Sequence, residues 1–308
     1  MSYIDGVRMM SATRATAVLT MAQRFAQLAS NAADPDRAVA ATPGWSILDT
    51  FGHVAMEPSR YHALALGGGT WPACSSELPA YNAEQVRTLP TRDAQQLAVR
   101  LTTDTRQFVE LIDSFDGEPR LMNFDGNQRI RADRSLGTLL GEFVVHGYDI
   151  ADTVGEDWPI DPAHVPLILQ GTHQVMPGWV NPVAAAGLSA VYRLQLRGLG
   201  ISHIYQFHDG TLTVDPDSPG PVDVQFDADP VTWLLLSYGR LSADTRVLAD
   251  GVAAWPSSVA GRPVLATLLF RLNRRSGNHR YRESGHTAGT DRDRGDRTYR
   301  RRTLRTHP

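Results

Sequence analysis

The stretch Ser135–Gly155, SLGTLLGEFVVHGYDIADTVG, decides the fold of this chain. Its apolar residues recur at spacings of three and four, which predicts an amphipathic helix. Ser135 is a suitable N-cap and Gly155 a suitable stop, so both ends of the helix are marked. We therefore expect this helix to pack against others through one apolar stripe. The stripe consists of Leu136, Leu139, Leu140, Phe143 and Val144, with Gly147, Ile150 and Ala151 continuing it.

Two polar residues lie beside this stripe. Glu142 and His146 are four residues apart, and helical side chains at that spacing reach toward a common point. If this point lies inside a helical bundle, both groups need a partner, because burying an unpaired charge is costly. A divalent metal ion would satisfy both. Taken alone, the spacing favours a simple Glu–His pair on a partly exposed helix, because such pairs are common.

Composition narrows the class of protein. A chain of 308 residues with 42% apolar residues is long enough for two domains with substantial cores. No run approaches the ~20 apolar residues of a membrane span, and no basic and apolar leader opens the chain. The single cysteine, Cys74, excludes an intramolecular disulfide and fits a reducing compartment. The sequence therefore predicts a cytoplasmic protein that does not enter a membrane.

Charge is distributed unevenly along the chain. All 30 basic residues are arginine, and residues 275–308 hold ten of them against four acidic residues, a balance of about +6. Because the whole chain carries −3, the rest of it carries about −9, which argues against a nucleic-acid-binding core. The arginine-rich segment has too few apolar residues to fold, so we predict a disordered tail. The alternative is an arm that binds nucleic acid or another anionic surface.

Three further helices precede the central one. The first is predicted at Gly6–Ser30, and the second begins after a Ser46 cap that forms a capping box with Asp49. Pro58 should bend or end this second helix. The third is predicted at Thr91–Ser114, with its first residue as the cap. Four helices of this length predict an antiparallel-type four-helix bundle.

A bundle changes the interpretation of the Glu–His pair. Ligands from facing helices converge in a bundle core, so the pair needs a third ligand from another helix. His53 is the available imidazole, although a lone histidine there is more often structural. Two histidines and one glutamate leave one of four zinc positions open, the pattern of catalytic sites. No activating base is apparent near Cys74, so that thiol is assigned no role.

A second domain is predicted after residue 160. Residues 162–180 predict a bridging helix, whose His164 and His173 have no partner at metal-ligand spacing and are interpreted as surface or packing residues. Asp229 and Pro230 open another helix, and a further strand or loop and a closing helix follow. Alternating segments predict strands at residues 190–196, 203–208, 211–214 and 222–226.

The predicted fold class is α+β overall. A four-helix bundle is expected at residues 1–160, and the bridging helix with a small α+β domain at residues 161–274. The arginine-rich tail at residues 275–308 completes the chain.

Three segments resemble one known family. Residues 43–55 read PGWSILDTFGHVA and resemble the metal-binding segment of DinB-like bundles. Residues 141–160 read GEFVVHGYDIADTVGEDWPI and resemble the last bundle helix of the mycothiol-dependent maleylpyruvate isomerase family. The phrases DADPVTWLLLSYGRLS and GRPVLATLLFRL resemble the sterol-carrier-protein-like C-terminal domain of that family. The resemblance covers about residues 1–274 and leaves the tail unexplained.

The resemblance implies a set of ligands and a cofactor. The zinc ligands of the family carry over onto His53, Glu142 and His146, and another divalent metal would fit the same groups. Asp149 belongs to the same motif, and we expect it to support a ligand and not to bind metal. The implied cofactor is mycothiol, whose thiol would bind at the open zinc position, lose its proton and attack the substrate.

Three hypotheses about function follow from the resemblance. The first is an isomerase in which mycothiol adds to maleylpyruvate, a bond rotates, and elimination gives fumarylpyruvate; Arg240 or Arg262 would bind this dianion. The second is a mycothiol S-transferase that acts on other small electrophiles. The third is not an enzyme: the C-terminal domain binds an apolar ligand and the bundle is structural. The open zinc position favours the first two.

Overall fold

The computed structural model describes residues 3–73, 75–115, 118, 120–124, 128–180, 182–241 and 252–256. They form a helical bundle followed by a mixed sheet with helices, which confirms the predicted α+β class. The predictions for Cys74, Arg262 and the tail at residues 275–308 lie outside this part of the chain. None of the described helices is long and apolar enough to cross a membrane.

The first half of the chain is helical. Both α1 and α2 pack against α4 and α5, which makes the predicted four-helix bundle. The short α3 lies against α2 and was not expected from the sequence. The helices are α1 (Tyr3–Ser30), α2 (Ile47–Ala65), α3 (Leu78–Arg87), α4 (Ala94–Asp113) and α5 (Ala132–Val154).

Aromatic rings fill the bundle core. Phe25 on α1 lies 5.8 Å from Phe51 on α2 and 6.3 Å from Phe143 on α5, measured between ring centroids. All three side chains are fully buried. Burying each such ring stabilises the fold by about 1.5–3 kcal/mol. The three helices are thereby held at fixed distances, which fixes the relative positions of polar groups that α2 and α5 carry.

The ends of α2 and α4 follow from their capping residues. The predicted capping box is confirmed, since the Asp49 N–H donates to Ser46 Oγ at 3.1 Å and the Ser46 N–H donates to Asp49 Oδ2 at 3.0 Å. Pro58 does not end α2, which runs on to Ala65. The prediction of a Thr91 cap is wrong by two residues: Asp93 caps α4, because its carboxylate accepts from the backbone N–H of Gln96 at 2.9 Å.

The start of α5 also differs from the prediction. An antiparallel hairpin of β1 (Leu121–Phe124) and β2 (Gln128–Arg131) precedes it, where the sequence predicted no strand. Because β2 passes directly into α5, the helix begins at Ala132, one turn early. Ser135 is therefore inside α5, buried, and its hydroxyl donates to the Ala132 carbonyl at 2.6 Å. Gly155 does end the helix, with φ +80°.

The second half of the chain is an α+β region that begins with α6 (His164–Trp179) and α7 (Pro182–Ala185). Strand order in its sheet is β5-β4-β3-β6-β7, with β3 and β6 parallel and the other neighbours antiparallel. Asp229 caps α8 as predicted, since its carboxylate accepts from the N–H of Thr232 at 2.8 Å. The predicted closing helix lies outside the described residues. The remaining elements are β3 (Ala190–Leu196), β4 (Ile201–His208), β5 (Thr211–Val214), β6 (Val224–Ala228), α8 (Pro230–Ser237) and β7 (Val252–Pro256).

Close packing of α5 on α6 joins the bundle to this α+β region. A Cβ atom at Gly137 would lie 2.1 Å from the carbonyl oxygen of Leu167, and one at Gly171 would lie 2.2 Å from the backbone nitrogen of Thr138. Both positions therefore require glycine, because any side chain would push the two helices apart.

Candidate metal centre

Three potential metal ligands converge between α2 and α5. His53 projects from α2, while Glu142 and His146 project from α5. Each offers one donor atom, and the three atoms lie within 4.8 Å of one another. Glu142 Oε2 is 3.3 Å from His146 Nε2 and 3.8 Å from His53 Nε2. The structure thus brings together the three predicted ligands, which we call the bundle cluster.

A separate residue orients each imidazole of the bundle cluster. His53 Nδ1 is 2.9 Å from the side-chain oxygen of Gln85, and His146 Nδ1 is 3.1 Å from Asp149 Oδ2. Since both partners are acceptors, each Nδ1 carries the donated hydrogen, and each Nε2 faces Glu142. Metal-binding histidines in proteins are oriented in this way by hydrogen bonds from their second ring nitrogen.

The pKa values of the two histidines in the bundle cluster are shifted in opposite directions. Burial lowers the pKa of His53 to about 4, although Glu142 opposes the shift. Burial also acts to lower the pKa of His146, but hydrogen bonds to Asp149 and Glu142, with their charges, outweigh it and raise the pKa to about 9. Burial acts to raise the pKa of Glu142, yet the two histidines hold it below its usual value. Glu142 and His146, both on α5, form a charged pair in which a cation would replace a proton.

Asp149 and Arg240 connect the bundle cluster to the α+β region. Arg240 Nε donates to Asp149 Oδ1 at 2.9 Å, Nη2 donates to Oδ2 at 2.6 Å, and Nη1 donates to the carbonyl of Tyr238 at 2.6 Å. Burial acts to raise the pKa of Asp149, but Arg240 and His146 hold it below its usual value, so the carboxylate is ionised. The structure places Asp149 against His146, and it places Arg240, one predicted substrate ligand, against Asp149.

Two domain families match this chain. The mycothiol maleylpyruvate isomerase N-terminal domain matches residues 17–151, and the SCP-2 sterol transfer family matches residues 180–252. Residues 17–151 thus belong to the mycothiol maleylpyruvate isomerase N-terminal domain family, and residues 180–252 to the SCP-2 sterol transfer family. Residues 43–55, 141–151 and 227–242 of the segments that resemble this family fall within the matched regions, so the resemblance is confirmed, while residues 152–160 and the closing-helix phrase at 261–272 lie outside them.

The chain also matches solved structures at low sequence identity. The crystal structure of the mycothiol-dependent maleylpyruvate isomerase has 15% identity and a TM-score of 0.49, with 82% of this chain and 95% of that chain covered. A variant of that enzyme with one histidine changed to alanine has 15% identity, the same coverage and a TM-score of 0.46. An inverting sec-alkylsulfatase from Pseudomonas sp. has 12% identity and a TM-score of 0.28, covering 71% of this chain and 32% of that chain. No protein of curated function matches the sequence.

A buried ion pair that was not predicted lies on the Nδ1 side of His53. Glu57 Oε1 is 3.6 Å from His53 Nδ1, and Glu57 also forms a short ion pair with Arg60. Burial raises the pKa of Glu57 to about 7, although Arg60 opposes the shift. The guanidinium of Arg60 lies 4.2 Å from the ring centroid of Trp71 and 4.6 Å from that of Tyr81. His53 and Glu57 have the same four-residue spacing as Glu142 and His146, so the sequence carried a signal for this group.

Gln85 was missed for a different reason. It lies on α3, a short helix without a strong apolar pattern. Its contact with His53 joins residues 32 positions apart, and no local spacing indicates such a pairing. A contact at the end of α8 also joins distant segments and was not predicted. A Cβ atom at Gly141, next to Glu142, would lie 2.5 Å from the hydroxyl of Tyr238, so the α+β region closes one side of the bundle cluster.

Proposed function

We propose that this chain is a zinc- and mycothiol-dependent enzyme that adds a thiolate to a small electrophile, with cis–trans isomerisation of the maleylpyruvate type as its reaction. The observation that carries this proposal is the bundle cluster, where two imidazole Nε2 atoms and one carboxylate face one another. Three protein ligands leave one of the four zinc positions for an exogenous group. Membership of the family supports the choice of thiol and substrate.

The fit of this site to a divalent metal rests on the donor set and its supports. His53, Glu142 and His146 would hold the ion. When bound, zinc lowers the pKa of a thiol in its open position and supplies a thiolate at neutral pH. Because metal binding requires neutral imidazole, the hydrogen bonds that fix each Nδ1–H also determine which nitrogen is offered.

Other residues of the chain set the charge around the site. Arg240 keeps Asp149 ionised, and Asp149 keeps the ring of His146 in one orientation. On the far side of His53 from Glu142, Gln85 and Glu57 face its Nδ1. These contacts hold the rings in place before any ligand arrives, which lowers the free-energy cost of organising the site. The small electrophile and the thiol are the only partners this mechanism requires, and a reducing cytoplasm suits it.

A second candidate function uses the same site. A mycothiol S-transferase would form the same thiolate but release the conjugate without the return elimination. The SCP-2 match at residues 180–252 supports a third candidate, binding of an apolar ligand by the α+β region without catalysis.

One assay separates the two enzymatic candidates. Purified protein is analysed for zinc and then incubated with mycothiol and either maleylpyruvate or a panel of other electrophiles. We expect about one zinc in the bundle cluster and turnover of maleylpyruvate with no net consumption of mycothiol. Stoichiometric loss of mycothiol into a conjugate would indicate the S-transferase.

The assay needs a matched pair of variants. His53→Ala should lose both the bundle zinc and turnover, whereas His62→Ala, on the same helix, should keep both. Zinc retained at the bundle cluster of the His53→Ala protein, or no turnover of any electrophile by the zinc-loaded wild type, would refute the proposal.

A further inference from the structure

A second group of metal-ligand side chains lies in the α+β region. His173 on α6, His203 on β4 and Asp215 each offer one donor atom, and these atoms lie within 4.8 Å of one another. We call these three residues the sheet cluster. The sequence analysis interpreted His173 as a surface or packing residue without a partner at ligand spacing. His173 does pack against Tyr205, but the fold also brings donor atoms of His203 and Asp215 within 4.8 Å of its own, a grouping that was not predicted.

Strand geometry explains how His203 meets α6. Alternate residues of a strand point to the same face of the sheet, so His203, Tyr205 and Phe207 share one face of β4. Tyr205 and Phe207 are buried, so this face is the one that packs against the core. The hydroxyl of Tyr205 is 2.9 Å from His173 Nε2, which places the α6 histidine directly over this face.

Asp215 is fixed in position immediately after β5. Its backbone has φ +48°, in the left-handed region that Asp tolerates better than most residues. The N–H of Asp215 donates to the Ile204 carbonyl at 2.8 Å, and Asp215 Oδ1 accepts from the N–H of Ile204 at 2.7 Å. These two bonds hold the carboxylate beside His203, where Oδ2 is 2.8 Å from His203 Nδ1.

The two imidazoles of the cluster meet at close range. The ring centroids of His173 and His203 are 4.5 Å apart, and the rings are nearly perpendicular, at 79°. The side chain of His203 is 13% exposed, and its Nε2 is buried without a hydrogen-bond partner among the described residues.

We propose that His173, His203 and Asp215 form a second divalent-metal site, separate from the bundle cluster. Two imidazoles and one carboxylate are the donor set of zinc and of related first-row metals. An ion there would replace the proton between His203 Nδ1 and Asp215 Oδ2 and would join α6 to the β4–β5 hairpin. The side chain of Asp215 is 48% exposed, so the ion can enter from solvent. The site requires no thiol and does not depend on the proposed function of the bundle.

Zinc stoichiometry tests this proposal. The full chain is stripped of metal with a chelator and titrated with zinc in competition with a zinc-binding dye. We expect two zinc ions per chain for the wild type, one for the double variant His53→Ala/His146→Ala, and one for His203→Gln. His208→Ala, a change at an exposed residue of the same strand, should keep two.

The outcomes separate this inference from the proposed function. One zinc in the wild type that is lost in the bundle double variant would overturn the second site and leave the enzyme proposal standing. One zinc in the wild type that is lost only in His203→Gln would support the second site and overturn the enzyme proposal. Two zinc ions retained by His203→Gln would also overturn the inference. Because a histidine change can disturb folding, Asp215→Asn is measured in parallel with circular dichroism, and it should give one zinc with an unchanged helical signal.

Discussion

The protein holds two clusters built from the same three groups, two imidazoles and a carboxylate, on different supports. In the bundle cluster, the Nδ1 atoms of the two histidines are engaged by Gln85 and Asp149, so Glu142 has no hydrogen bond to either Nδ1. In the sheet cluster, the carboxylate itself is hydrogen-bonded to the Nδ1 of a histidine. In both clusters a carboxylate is paired with an imidazole, through Nε2 of His146 in the bundle cluster and through Nδ1 of His203 in the sheet cluster.

The carboxylates of the two clusters also differ in their exposure to solvent. The carboxylate of the bundle cluster is 21% exposed, against 48% for that of the sheet cluster. Buried charges interact more strongly because water screens them less. We therefore expect the bundle cluster to bind zinc more tightly than the sheet cluster. The comparison indicates that the residues supporting the ligands, more than the identity of the ligands, determine how tightly a site binds metal.

The largest expected effect comes from removing the bundle carboxylate. Glu142→Gln should lower the zinc affinity of the bundle cluster by at least about 100-fold, because a neutral amide is a poorer ligand and the site loses a negative charge. Turnover should fall with it. Zinc titration of the variant should still show the weaker sheet site. A variant that binds two zinc ions as tightly as the wild type would contradict the comparison.

A smaller effect should come from a supporting residue. Gln85→Leu removes the partner of His53 Nδ1 without changing the ligands, and loss of such a partner typically costs about 10- to 100-fold in metal affinity. The sheet cluster should be unaffected. Glu84→Gln, at the adjacent exposed residue of α3, is the matched control and should bind zinc normally. Equal affinities for the two variants would show that Gln85 does not prepare the site.

The packing between α5 and α6 links the two clusters. Helix α5 carries two residues of the bundle cluster, and α6 carries one residue of the sheet cluster. Gly137→Ala should lower the free energy of unfolding by about 1–3 kcal/mol, since its Cβ would overlap the backbone of α6. Gly68→Ala is the control, because the nearest atom to its Cβ is at an ordinary contact distance of 3.5 Å. Denaturant unfolding measures both. A stable Gly137→Ala protein would mean that the helices can move apart freely.

The smallest effect is expected from the arginine-rich tail at residues 275–308. Deleting Gly277 to Pro308 should leave the zinc stoichiometry and the melting temperature almost unchanged, because so polar a segment has no core to contribute. Calorimetry and zinc titration test this. A loss of several degrees in melting temperature would show that the tail packs on the body.

The sequence predicted the features that depend on local spacing. The apolar stripe of α5, the Ser46 box, the Asp229 cap and the Gly155 stop each follow from residues within a turn or two of one another. The two α5 members of the bundle cluster are four residues apart, so they were visible in the same way. His53 needed one further step, the expectation of a bundle in which α2 faces α5.

Other features depend on pairings between distant segments. The β1–β2 hairpin displaced the start of α5, and its short strands of four residues give too little alternation to recognise. Gln85 reaches His53 through α3, which has no strong pattern of its own. The sheet cluster joins residues 173, 203 and 215. These residues come together through the register of β4 with β5 and the packing position of α6. No spacing in the sequence encodes these contacts.

The central claim is that the bundle cluster holds a metal whose open position accepts an external thiol. The most direct measurement uses Cys74→Ser protein with cobalt(II) in place of zinc, titrated with mycothiol and followed by absorption. We predict a thiolate-to-cobalt charge-transfer band that is present in this protein and in its His203→Gln derivative, and absent in its Glu142→Gln derivative. No band with mycothiol, together with turnover that proceeds without any added thiol, would contradict the account.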